Sequence, residues 1–270
     1  MPKPTRHEAG VPLQLATADG ECIRAAHLPR QGAPRDVAVV VAHGFNGGLA
    51  KPSVRAVVRG LAPHAGVLVL DFRGHGGSSG CSTLGDREIY DLDAAVCEAR
   101  RLGYRDVVTC GWSMGSSVVL RHAALIGGVD AVVAVSGPST WYVRDTRAMR
   151  RLMWLIESPA GRALCRLGGL RLGPAWQTPP ESPREVVGRI APTPLLIVHG
   201  DRDRYFGVEH AHVLAEAAGE PTELWIVPGM GHAEAGASAE LLGRIGRHLP
   251  ALLARRGLGD GGRPDQVAAS

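Results

Sequence analysis

Six short apolar runs punctuate the chain, at residues 37–42, 66–71, 106–111, 129–135, 194–199 and 223–227. They are rich in β-branched residues and do not alternate with polar positions, as strands buried on both faces require. Helix-compatible stretches lie at about 50–62, 86–102, 114–126, 207–219 and 235–255. Ahead of them, 11–17 and 21–28 are joined at Asp19-Gly20, which predicts a β-hairpin. Strands alternating with helices of this length imply parallel β-α-β units. The expected class is therefore α/β, with a mostly parallel sheet of about eight strands flanked by helices.

Residues 139–190 interrupt the alternation. They hold Trp141, Trp154 and Trp176, an amphipathic stretch at 144–157 and the run Thr178-Pro-Pro-Glu-Ser-Pro183. An insertion after a core strand predicts a small helical cap. The expected organisation is a core of 11–138 and 191–255, a cap of 139–190, and flexible tails at 1–10 and 256–270.

An open parallel sheet carries its reactive groups at the carboxyl ends of its strands. Gly111-Trp112-Ser113-Met114-Gly115 follows one buried run and opens a helix. G-x-S-x-G alone is weak evidence. In a strand–turn–helix setting it places a serine hydroxyl above the sheet, facing the positive end of the following helix. A serine needs a base, and a histidine base needs a carboxylate to hold it. His199-Gly200-Asp201-Arg202-Asp203 follows the fifth core run and Gly229-Met230-Gly231-His232 the sixth. Ser113 is thus the candidate nucleophile and His232 the base. Asp201 competes for the third place, but it sits in the tight turn, and Asp203 lies farther out where the loop reaches His232.

The loop Val41-Ala-His-Gly-Phe-Asn-Gly-Gly48 ends the first core run, and its Phe45 N–H is the expected second oxyanion donor beside Met114 N–H. His43 reads as a structural loop residue. The glycine-rich 71–80 segment reads as architectural, with no chemical role for His75. His7, His64, His122, His210, His212 and His248 read as surface or helix residues.

These motifs resemble the α/β-hydrolase superfamily: HGFNGG at 43–48, DFRGHGGSSG at 71–80, GWSMG at 111–115, HGDRD at 199–203 and GMGH at 229–232. The resemblance runs from about 11 to 253. It implies the α/β-hydrolase fold with a helical cap, a Ser113–His232–Asp203 triad and no cofactor or metal. Within the superfamily the chain is similar to small bacterial carboxylesterases, including cinnamoyl and feruloyl esterases. Trp112, Ser116 and Arg204-Tyr205-Phe206 depart from the usual pattern and bear on the shape of the acyl pocket. A serine nucleophile argues against the epoxide hydrolases and dehalogenases of this fold, which attack with aspartate.

The net charge of +4 changes this picture little. Seven arginines between residues 139 and 180 face only Asp145 and Glu157, a local excess of +5. In 144–157, Arg144, Arg147 and Arg151 fall opposite Met149, Leu152, Met153 and Ile156. This is read first as a solvated face, with recognition of a carboxylate or phosphate as the sharper alternative. The tryptophans read as cap packing. Five scattered cysteines, no apolar segment behind the N-terminal charges and no membrane-length apolar run point to a cytoplasmic protein. The expected partner is a small ester or thioester, with no nucleic acid and no membrane. The expected reaction is ester hydrolysis through an acyl-enzyme. A thioesterase, acyltransferase or amidase, and a non-catalytic receptor, are the alternatives.

Overall fold

A computed structural model describes residues 10–30, 32 and 35–256. Its eight-stranded sheet contains β1 (Val11–Ala16), β2 (Cys22–Leu28), β3 (Val37–Ala42), β4 (Gly66–Leu70), β5 (Asp106–Trp112), β6 (Ala131–Val135), β7 (Leu195–Gly200) and β8 (Thr222–Val227). Their order is β1-β2-β4-β3-β5-β6-β7-β8. From β4 to β8 all neighbours are parallel, while β2 is antiparallel to both β1 and β4. β4 and β5 are both fully buried, which is why neither shows alternation.

Helices cover both faces. On one, α2 (Glu88–Arg101), α3 (Met114–Leu125) and α7 (Glu209–Ala217) bury Leu92, Val96, Val118 and Leu214 against the sheet. On the other, α1 (Pro52–Leu61) and α9 (Ala239–Ala254) bury Val57, Leu61, Leu242 and Ile245. Burying each such side chain contributes about 1.5–3 kcal/mol. The single helix expected at 235–255 is two helices. α8 (Ala233–Gly236) is one turn, and the Ser238 hydroxyl then accepts the Leu241 N–H at 3.1 Å to start α9.

After β6 the chain leaves the core. α4 (Arg147–Glu157) is capped by Thr146, and α5 (Pro159–Leu167) by Ser158, which closes α4 and opens α5 at one residue. α6 (Pro183–Val186) and the 3₁₀ turn Val187–Ile190 pack on α3 and α7. The last residues assigned to the cap therefore belong to the core, because Val186, Val187 and Ile190 are buried there. The expected tails lie outside the described residues, apart from Gly10 and Arg256. Among the described residues no helix is long and apolar enough to cross a membrane.

The chain order makes β3 the point where connections diverge, to β4 on one side and β5 on the other. The crevice at such a switch point is where open α/β sheets bind ligands.

Candidate active site

Ser113 sits between β5 and α3 with φ 53° and ψ −116°. A non-glycine residue held there costs about 1–3 kcal/mol. Packing imposes it. A Cβ on Gly111 would lie 2.1 Å from the Gly115 carbonyl oxygen, and a Cβ on Gly115 2.1 Å from that of Ala42. Both motif glycines are thus steric requirements, since α3 starts in contact with β3 and β5. The Ser113 N–H donates to the Val135 carbonyl at 2.9 Å, which ties the turn to β6.

The Ser113 hydroxyl donates to His232 Nε2 at 2.9 Å, and His232 Nδ1–H donates to Asp203 Oδ2 at 2.7 Å. An ionised carboxylate only accepts, so the proton lies on Nδ1 and leaves Nε2 free to take the serine proton. Asp203 Oδ1 accepts the Tyr205 and Phe206 N–H groups at 2.8 and 3.2 Å. Burial works against its charge, but His232 and these two N–H groups outweigh it and hold the carboxyl below the usual range. Asp201 takes the other part: it is exposed, and its Oδ1 accepts the Gly229 N–H at 2.7 Å, bracing the turn before His232. The Ala233 N–H donates to Ser136 Oγ at 3.1 Å and fixes the far side of that turn.

Phe45, Ser113 and Met114 line one cavity. Among the described residues neither the Phe45 nor the Met114 N–H has an acceptor. Two free donors beside a serine hydroxyl are suited to a developing oxyanion. The loop that carries Phe45 is clamped by four residues. His43 Nδ1–H donates to the Gly44 carbonyl at 2.7 Å while its Nε2 accepts the Phe72 N–H at 3.1 Å. His75 Nε2 holds the Phe45 carbonyl at 2.8 Å, and Asp71 Oδ1 accepts the Leu49 N–H at 2.7 Å. His43 is fully buried, and burial, with His75 beside it, lowers it to about 3, so the ring stays neutral. The fourth clamp is Glu234, whose Oε1 accepts the Gly44 N–H at 2.7 Å. Burial pushes its carboxyl up. Sequence reasoning missed Glu234, and a single acid in a helical turn carries no signal that would reveal it.

Two openings flank these residues. The first, of about 520 Å³, is lined by Met149, Leu152, Met153 and Ile156 of α4, by Val143, and by Trp141 and Trp176. Those two rings meet edge to face at 5.2 Å, so they wall the cavity and are not mere cap packing. Trp154, also expected to pack, is 50% exposed. The second opening, of about 830 Å³, is lined by His232, Tyr205, Arg147, Arg151, Arg202 and Arg204. Tyr205 lies over the His232 ring with centroids 4.3 Å apart.

The cap arginines divide by partner. Arg144 pairs with Glu157 at 2.6 Å, Arg150 donates to the Arg144 and Asp145 carbonyls, and Arg162 and Arg171 bind backbone carbonyls. Arg147, Arg151, Arg202 and Arg204 have no ion pair or side-chain hydrogen bond among the described residues. Arg147 and Arg150 also occupy the first turn of α4, which has no acid. Cations there oppose the helix dipole by about 0.3–1 kcal/mol each, and the Arg147–Arg151 pair at i, i+4 adds about 0.2–0.5 kcal/mol. Of the histidines expected on surfaces or helices, His122 and His210 are helical but buried, and His210 Nδ1 accepts the Ser139 N–H at 3.1 Å. Among the described residues no three His, Cys, Asp or Glu side chains are grouped to hold a metal.

This architecture is the α/β-hydrolase fold. Residues 37–158 match the family of the alpha/beta hydrolase fold. Solved structures similar to the chain include the esterase Pf2001 of Pyrococcus furiosus, at 22% identity and a TM-score of 0.72 over 93% of this chain and 97% of that one. The alpha/beta hydrolase GrgF from Penicillium sp. sh18 is 21% identical, with a TM-score of 0.69 over 91% and 98%. Est1E from Butyrivibrio proteoclasticus, solved with ferulic acid bound, is 21% identical, with a TM-score of 0.64 over 90% and 99%. No curated protein sequence matches the chain.

Proposed function

We propose that the protein is a serine hydrolase that cleaves carboxylic esters of apolar acyl groups through an acyl-enzyme. The observation that carries this reading is the continuous hydrogen-bonded line from Ser113 Oγ through His232 to Asp203, beside two unpaired backbone donors. Ser113 Oγ attacks the ester carbonyl while its proton passes to His232 Nε2. The Phe45 and Met114 N–H groups take the oxyanion, a contribution of about 3 kcal/mol for each such donor. The bond to the leaving oxygen breaks and that oxygen receives the proton from His232. Water then gives its proton to His232 and attacks the acyl carbon. Release of the acid returns the proton to Ser113.

The 520 Å³ cavity supports an apolar acyl group of ligand size. Two similar structures bear the name esterase or hold ferulic acid, which fits the same chemistry. Five free thiols, three of them exposed, suit a reducing compartment such as the cytoplasm.

The test is a chain-length series of p-nitrophenyl esters on the wild type and Ser113→Ala, with fluorophosphonate labelling alongside. Each methylene that enters the cavity should raise kcat/KM about fourfold, from about 0.8 kcal/mol of burial, until the cavity is full. A folded wild type that neither labels nor turns over any ester would sink the reading.

A further inference from the structure

α4 stands as a partition. Met149, Met153 and Ile156 face the apolar cavity, Arg147 and Arg151 face the groove, and Leu152 borders both. The nucleophile and the two oxyanion donors open on the apolar side, whereas the imidazole of His232 opens on the groove. In acyl transfer the leaving atom must accept its proton from the histidine, so the leaving group lies on the histidine side. That side is strongly cationic. Arg147 and Arg151 reach it from the cap, and Arg202 and Arg204 reach it from the loop that carries Asp203. None of the residues lining it is acidic.

Three observations separate this arrangement from an ordinary solvated basic face. Of the other arginines between residues 139 and 180, Arg144, Arg150, Arg162 and Arg171 are engaged with Glu157 or with backbone carbonyls, and Arg166 alone shares with these four the lack of a side-chain partner among the described residues. Arg147 sits where the helix dipole disfavours a cation, with no acid in that turn to offset it. The four come from two separate elements and converge on one groove beside His232. Guanidinium groups so placed match a doubly charged oxyanion, with planar donors suited to phosphate.

From this we infer that the leaving group of the natural substrate carries phosphate. The inference rests on the acyl-hydrolase reading and narrows it to an apolar acyl chain on a phosphate-bearing thiol or alcohol. Cleavage breaks the acyl C–S or C–O bond after Ser113 Oγ has bonded to the acyl carbon. The departing sulfur or oxygen takes the His232 proton, and water completes the hydrolysis with no further reactant. The phosphate is not attacked: it anchors the leaving group and departs with it.

Two matched pairs test this and distinguish the thiol from the alcohol source. Octanoyl-coenzyme A is compared with the uncharged octanoyl-N-acetylcysteamine thioester, and 1-octanoyl-glycerol 3-phosphate with 1-octanoylglycerol, all at low salt. The expected result is a kcat/KM advantage of about fivefold or more for the phosphate-bearing member of at least one pair, shrinking at high salt as screening requires. In Arg151→Gln/Arg204→Gln that ratio should drop at least about threefold, whereas mere loss of packing would lower both members alike. Smaller ratios in both pairs, a ratio unmoved in the double variant, or turnover of p-nitrophenyl octanoate with none of the four, would overturn the inference and leave ester hydrolysis standing. No turnover of any of the five would overturn both.

Discussion

Two clusters built from histidine and aspartate lie close to the Ser113 turn, and they behave in opposite ways. In one, His232 and Asp203 are linked at 2.7 Å, with His232 part-exposed beside Ser113. In the other, His43, His75 and Asp71 sit at the ends of β3 and β4, next to the Arg73–Asp91 pair. Arg73 donates to Asp91 twice from its guanidinium and to Asp19 besides, and all its charge is spent there. His43 is sealed and neutral, with each ring nitrogen committed to backbone. Residue type therefore does not separate chemistry from architecture. What separates them is whether a ring nitrogen is left for a group that can react.

Perturbing each cluster should break function on one side and stability on the other. The largest effect is expected for Ser113→Ala, a loss of about 10⁴–10⁶ in kcat measured with the preferred ester, with thermal unfolding nearly unchanged. Asp203→Asn should follow at about 10⁴, because an amide at that position favours the wrong tautomer of His232. Asp91→Ala should instead leave Arg73 buried beside a missing partner and cost about 3–5 kcal/mol in denaturant unfolding. A fall in kcat larger than the fall in folded fraction would show that the two clusters are not separable.

The pH dependence of stability comes next in size. His43 titrates at about 3 when folded and at 6.5 when unfolded, so below 6.5 the unfolded chain binds the extra proton. Stability from this residue is full above 6.5 and declines as pH falls toward 3, by about 2 kcal/mol between pH 7.5 and 5. Chemical unfolding at the two pH values measures it, and a flat profile would mean that the ring is not held neutral. Asp203, with its carboxyl held low, acts in the same sense at more acid pH: its stabilisation is present above 3.8 and lost below. The smallest effect is expected for Glu234→Gln, about two- to fivefold in kcat, since an amide oxygen still accepts the Gly44 N–H but without charge.

The fold was legible because its strands are local signals: β3, β4 and β5 are uninterrupted apolar runs whose ends carry glycine turns. Ser113, Asp203 and His232 were legible for the same reason, each lying just past a strand in a turn of unusual composition. Glu234 was not, since its partner Gly44 lies 190 positions away. The arginines of the groove were only half visible. Arg147 and Arg151 stand out by helical spacing, whereas Arg202 and Arg204 join them only once β7 and the cap are brought together. Trp141 and Trp176 read as packing because indole type alone does not reveal which side faces a void. Pro183–Val186 read as cap because proline-rich sequence hides the docking of α6 on α3.

The partition formed by α4 has a consequence for the order of events in a turnover. Under the proposed mechanism the two products would occupy different openings, so the first could leave while the acyl chain still plugs its own cavity. The vacated groove then becomes the entry route for water, directly against the imidazole that must activate it. A released product that lingered there would block deacylation and return to the acyl-enzyme. Product inhibition should accordingly come from the leaving group far more than from the acid.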